Sequence, residues 1–272
     1  MQLAEPVVAS WKAHLSLHFQ KDAQRTVLAK RSDGPLVVQK PLYPEGADLC
    51  HAIVVHPPGG VVGGDELFLE IRSERESDAL LTTPGAGKWY RSSGPWAKQK
   101  LFFELEGSVE WLPRETIVFD GALAELHCDI DLKDRGRFIG WEVVCLGRTG
   151  AGKRFDRGEI RIETSVTRDG RRLFFERGRI DGGGSLMRSP VGLAGRTVFG
   201  TLVAAGEIET VLLNECRKRV PQCAVTLLPG LLIARYLGDS SEEAFQAFVS
   251  LWKLLRPAVL RREAVEPRIW RT

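Results

Sequence analysis

The sequence is poor in the residues that build metal cages and membrane anchors. It holds five histidines and five cysteines in 272 residues. Cys50, Cys128, Cys145, Cys216 and Cys223 are widely spread, odd in number and without a CxxC pair. That argues against a disulfide framework or a Cys-rich zinc module and for reduced thiols in a cytosolic protein. No run approaches eighteen apolar residues, and the start MQLAEPVVASWKAHL lacks the basic and apolar regions of a secretory leader. The expectation is a cytoplasmic protein, neither secreted nor membrane-spanning. Charge of one sign is scarce too: 38 Lys and Arg against 35 Asp and Glu leave +3, little reason to propose a nucleic-acid partner.

What remains is globular in kind, because 43% hydrophobic and 27% charged residues are ordinary for a packed domain. The charge is uneven. Between Arg148 and Arg179 ten basic residues stand against five acidic ones. This stretch is either a set of solvated strand faces or a docking surface for an acidic partner.

Period-two alternation dominates the first two-thirds. Trp11, Ala13, Leu15, Leu17 and Phe19 alternate with Lys12, His14, Ser16, His18 and Gln20, the signature of a half-buried strand. Similar signals recur at 36–39, 52–55, 67–71, 101–105, 126–132, 141–146, 160–166 and 172–180. Strands without intervening helices exclude a doubly wound α/β fold. Two helices come late. Ser240 with Glu243 forms a capping box, and Phe245, Phe248, Val249, Trp252 and Leu255 follow at helical spacing until Pro257, where the helix is expected to stop. A second, over 209–219, places Arg217, Lys218 and Arg219 at the negative end of its dipole. The expected fold is mainly β, with many short strands in stacked or helically arranged sheets and two α-helices in the C-terminal third. It forms one domain over 1–272, with a strand-rich body to about 180 and a mixed α/β part over about 186–272. No repeat of fixed period is visible, and DGGGS at 181–185 reads as a connection that could be mobile.

Several chemical motifs fail on context. GRTGAGK at 147–153 has P-loop spacing, but Arg154 stands where the magnesium-binding hydroxyl belongs and a strand pattern follows instead of a helix. His14 and His18 have the spacing of a zinc pair only on a helix; on a strand four residues span roughly 13 Å. No GxSxG elbow accompanies any serine.

The segment His56-Pro-Pro-Gly-Gly-Val-Val-Gly-Gly-Asp65 is the most unusual. Two prolines remove amide donors and paired glycines permit positive φ on either side of Val61-Val62. Asp65 either caps backbone amides in the turn or presents its carboxylate, with the His56 imidazole, to a polar cavity as ligands suited to nickel or zinc. In LTTPGAGKWYRSS at 81–93, Thr83 precedes a Pro-Gly turn. Glu142 and Glu176 are single acids in apolar strands. The C-terminal helix and its PRIW tail either pack on the chain's own core or dock a partner.

At these residues the chain strongly resembles the UreD family of urease accessory proteins, also called UreH. The likeness runs in order through Trp11, Thr26, Gly34-Pro35-Leu36, Tyr43-Pro44-Glu45-Gly46, His56 to Asp65, Thr82-Thr83-Pro84-Gly85, Tyr90-Arg91-Ser92, Trp111-Leu112-Pro113, Gly147-Arg148 and Pro267-Arg268-Ile269-Trp270. Two segments depart from the pattern: GAGKWY stands where GATKFY is common, and Lys153 replaces an acid in GRTGAGKRF. The resemblance implies a non-enzymatic scaffold for nickel insertion into the urease apoprotein. It implies UreF and the GTPase UreG as partners in a 2:2:2 assembly, and transient Ni2+ without a resident cofactor. His56, Asp65, Thr83, Glu142 and Glu176 are the candidate contacts for a passing ion. The competing expectation is a β-rich metal-dependent enzyme using His51, His56 and Asp65.

Overall fold

A computed structural model describes residues 10–271. The reading of residues 1–9 as free of a leader lies outside the described residues. Among these residues seventeen strands form two sheets. The first runs β14 (Arg171–Asp181), β13 (Glu159–Arg168), β11 (Leu123–Leu132), β8 (Ala97–Leu105), β5 (Glu66–Ser73), β1 (Lys12–Asp22) and β2 (Arg25–Asp33). The second runs β16 (Cys223–Leu228), β17 (Leu231–Gly238), β15 (Val198–Ala205), β12 (Arg137–Leu146), β9 (Ser108–Leu112), β6 (Asp78–Thr82), β4 (Leu49–Val55) and β3 (Val37–Val38). Short strands β10 (Thr116–Val118) and β7 (Gly87–Trp89) continue sideways from β12.

From β4 to β13 the chain alternates between the sheets, so neighbours within each are parallel and two strands make one turn of a coil. Of the stacked and helical arrangements that the sequence left open, this is the helical one. In the second sheet Leu49 lies beside Asp78, Asp78 beside Ser108 and Ser108 beside Arg137, offsets of 29, 30 and 29 residues. In the first, Glu66 lies beside Lys98, Lys98 beside Glu125 and Glu125 beside Arg161, offsets of 32, 27 and 36. One end of the coil is tight. There Gly107 and Arg137 donate their N–H groups to the Ser73 and Gly107 carbonyls, so each corner hydrogen-bonds to the one beneath. A Cβ on Gly107 would come within 2.3 Å of the Ser77 carbonyl oxygen, and one on Gly136 within 2.1 Å of that of Leu105.

The alternation seen in the sequence is the burial pattern of β1, in which Ala13, Leu15, Leu17 and Phe19 are buried between the sheets. His14 and His18 face outward, toward Glu70 at 3.8 Å and Glu74 at 3.1 Å, on separate positions of an open face. A second core lies between the outer face of the second sheet and two helices, α2 (Thr210–Arg219) and α3 (Ser241–Leu260). The segment whose composition allows a mobile connection leads into a further helical turn, α1 (Ser185–Arg188), with Gly182 and Gly183 bonded to the Gly158 and Phe155 carbonyls. Helix α3 begins at the expected cap, where Ser240 Oγ accepts the Glu243 N–H at 3.1 Å. It does not stop at Pro257. A proline there forfeits one backbone bond, while the extra turn buries Val259 and Leu260, and Arg261 in the left-handed region ends the helix. The PRIW tail packs on the chain's own core: the Trp270 ring sits 5.2 Å from Phe245 and 5.7 Å from Trp252, and its Nε1 donates to Thr82 Oγ1.

Beneath α3 lies a buried ion network. Arg256 is fully buried and forks between Glu45, at 2.7 and 2.9 Å, and Glu110, at 3.0 and 3.1 Å. Trp252 Nε1 donates to Glu110 at 2.6 Å, and His51 meets Glu45 at 2.8 Å. Burial works to raise the Glu45 pKa, but the bonds from His51 and Arg256 outweigh it and hold the carboxyl below its usual range. Arg256→Met would leave two carboxylates without their cation and is expected to lower stability by about 3–5 kcal/mol. Urea denaturation followed by tryptophan fluorescence measures this, and Glu110→Gln should cost less, because it removes one of the two competing anions.

Candidate functional site

The open end of the coil carries the segments that stood out in the sequence. Four loops, residues 56–65, 83–96, 113–122 and 147–158, lead from strands of the second sheet back to the first and stack in that order. Val61 N–H donates to Lys88 O and Tyr90 N–H to Val61 O; Gly87 N–H donates to Glu115 O and Phe119 N–H to Trp89 O; Gly147 N–H donates to Val118 O. The paired glycines of the first loop divide two tasks. Gly59 and Gly64 have φ of +76° and +97°, while a Cβ on Gly60 or Gly63 would lie 2.1 Å from the Tyr90 ring or 2.2 Å from Ser92 Oγ in the loop above. The fourth loop, with P-loop spacing, closes through a bridge between Arg148 and Lys153 and leads into β13, not into a helix.

Under these loops and between the sheets is a cavity of about 290 Å³, whose lining includes His56, Thr83, Trp111, Arg114, Thr116 and Glu142. A smaller void of about 70 Å³ shares Gln99, Leu101, Trp111 and Glu142 with it and adds His127, Cys128 and Thr201. An outer groove of about 520 Å³ in turn shares Leu126, His127, Ile162 and Glu163 with the smaller void. The three spaces therefore share lining residues in succession.

Two buried polar atoms of the cavity lining, His56 Nε2 and Trp111 Nε1, have no hydrogen-bond partner among the described residues. Buried polar groups are normally paired, so these two call for water or a ligand. Burial lowers the His56 pKa against the pull of Asp65, which favours the neutral imidazole. Glu142 stands where the two voids meet and accepts a bond from Thr116 Oγ1 at 2.5 Å. Burial pushes its carboxyl up to about 7, with the Thr116 bond acting the other way.

Of the five candidates, His56, Thr83 and Glu142 share the lining of the larger cavity. Asp65 does not line it. Its two oxygens accept the Trp11 N–H at 2.8 Å and the Val62 N–H at 2.9 Å, the turn-capping alternative. Glu176 lies elsewhere, paired with Arg235 at 2.5 Å. Thr83 Oγ1 accepts the Arg114 N–H at 2.9 Å and so ties the second loop to the third. His51 belongs to the Arg256 network, so His51, His56 and Asp65 are not brought together, and among the described residues no three His, Cys, Asp or Glu side chains are placed to hold a metal. Trp111 and Thr116 went unselected in the sequence as contacts, since neither an unsatisfied indole nor a hydroxyl's partner shows before strands are paired.

Glu142 gives a pH signature. Its folded pKa of about 7 exceeds the ordinary 4.5, so the folded state holds this proton more tightly. Its stabilising contribution is full below about pH 4.5 and falls as pH rises to about 7. Glu142→Gln should remove that slope and exceed the parent in stability at pH 8 by up to roughly 3 kcal/mol. Denaturation midpoints across pH 5 to 8 would check it.

Comparison with known proteins matches nearly the whole chain. The sequence model of the UreD urease accessory protein family matches residues 12–271. Urease accessory protein UreD of Azoarcus sp. (strain BH72) is 53% identical, with 96% of this chain and 94% of that protein aligned. Those of Dechloromonas aromatica (strain RCB) and Pseudomonas aeruginosa are 50% and 49% identical over 97% of this chain and 95% and 96% of theirs. The chain belongs to the UreD family of urease accessory proteins.

Proposed function

We propose that this protein is a non-enzymatic scaffold and metallochaperone that passes nickel into the urease apoprotein. Its partners in this reading are UreF and, through UreF, the GTPase UreG, in a cytoplasmic 2:2:2 assembly. Nickel is cargo here and not a resident cofactor. The observation that carries the reading is the series of adjoining voids whose polar points are single groups: the unpartnered His56 imidazole, the Thr83 and Thr116 hydroxyls and the Glu142 carboxyl. A conducting site must bind an ion well enough to admit it and weakly enough to release it. Isolated ligands meet that demand; a closed four-ligand cage would retain the ion. Asp65 enters this reading through the loop it holds in place, and Glu176 as a group beyond the voids. Among the described residues no helix is long and apolar enough to cross a membrane.

The test is co-expression with UreF, UreG and urease, followed by metal analysis of the purified urease. His56→Ala and Glu142→Ala should each lower urease nickel several-fold while the accessory complex still assembles, and the double variant should lower it further. Asp65→Ala should instead reduce the yield of folded protein. Unchanged nickel with both cavity residues replaced would remove the passage and leave only a scaffold.

A further inference from the structure

The tight end of the coil holds a second recess, of about 520 Å³, to which four arginines come from three separate parts of the chain. Arg135 and Arg137 come from the corner between β11 and β12, Arg168 from the end of β13, and Arg261 from the C-terminus of α3. Arg168 donates to the Asp134 and Gly136 carbonyls at 2.7 and 3.0 Å and so fixes the corner on which its two neighbours stand. Among the described residues the side chains of Arg135, Arg137 and Arg261 have no hydrogen-bond, ion-pair or ring partner. Arg137 is nevertheless half-buried.

Two acids, Asp134 and Glu207, also line the recess, and Asp134 already meets Arg75 at 3.5 Å. The carbonyl end of α3 adds about half a negative elementary charge. These do not balance four guanidiniums. Arg261 sits at φ 58° and ψ 36°, a helix-ending conformation that glycine adopts without strain, so its side chain can be removed there without a backbone cost.

We infer that this recess docks an acidic, extended segment of a partner polypeptide, whose carboxylates are held by Arg137 and Arg261 with Arg135 at the rim. Guanidinium groups fit carboxylates bidentately, and the volume accommodates several residues, far more than one small anion fills. The site lies at the end of the coil opposite the loops around His56, and the inference does not depend on the nickel reading.

The experiment uses the full chain and a fluorescein-labelled decapeptide of alternating Glu and Ser, with binding read by fluorescence anisotropy at 50 and 200 mM NaCl. The pair Arg137→Gln and Arg261→Gly should weaken binding at least tenfold at the lower salt. Arg261→Gly also relieves the backbone, so its melting temperature should equal or exceed the parent's, which separates lost binding from lost fold. The control Lys153→Gln with Arg154→Gln removes the same charge from the exposed loop at the opposite, open end of the coil and should change affinity less than twofold. Equal losses in control and recess variants would overturn the proposal in favour of net charge alone. Displacement of the peptide by equimolar inorganic phosphate would overturn it in favour of a simple anion site.

Discussion

The fully buried guanidinium of Arg256 is the constraint through which the layers of this molecule are related. It stands in the last turns of α3, and its two carboxylates come from the loop before β4 and from β9, 211 and 146 residues away in sequence. No local preference brings these groups together. Burying such charges is expensive, and only good geometry with every polar group satisfied makes it tolerable. Here Trp252 and His51 supply the remaining bonds. A slide of α3 by one residue would strand both acids, so the network selects a single seat for the helix. The neighbouring Arg262 repeats the device toward Asp48 and Asp78 at the starts of β4 and β6.

That seat reaches the cavity through β9. Glu110 is held by Arg256 on the helix side of the second sheet, while its neighbour Trp111 turns the opposite way and lines the voids between the sheets. Alternation of side chains along a strand makes the two inseparable. Three residues further, Arg114 donates its N–H to Thr83, and Thr116 bonds Glu142. Helix position, strand register and the polar points of the cavity thus form one mechanical series, in which the loops contribute curvature and the strands contribute placement.

What could be read in the sequence was whatever depends on neighbours. The outward His14 and His18, the Ser240 cap and the strand after Gly147-Arg148 all follow from local alternation or capping chemistry. The end of α3 did not follow, because a proline near the last turn loses a single bond whereas burial of Val259 and Leu260 is a tertiary gain. The coil itself was hidden by its loops: offsets near 29 in one sheet coexist with 32, 27 and 36 in the other, and no fixed period survives in the sequence. At the site, His56, Thr83 and Glu142 were visible as polar residues in apolar company. Asp65 and Glu176 looked the same, and only pairing with Trp11, Val62 and Arg235 separates them.

The two proposals place opposite chemistry at the two ends of the coil, and the distance between them makes the pair compatible. A passing dication is disfavoured near fixed cations, yet the arginine recess begins on the very strand that carries Glu142. Arg137 and Glu142 are five residues apart on β12, roughly 17 Å along an extended chain. Charges open to solvent are screened within about 8 Å at physiological ionic strength, so even the half-buried Arg137 guanidinium, open to the recess, loses much of its influence over that span. Inside the voids, by contrast, screening is weak and one carboxyl near neutrality is enough to matter. A protein with few histidines can therefore keep a buried carboxyl and an arginine-rich recess on one strand, provided that strands of this length hold them apart.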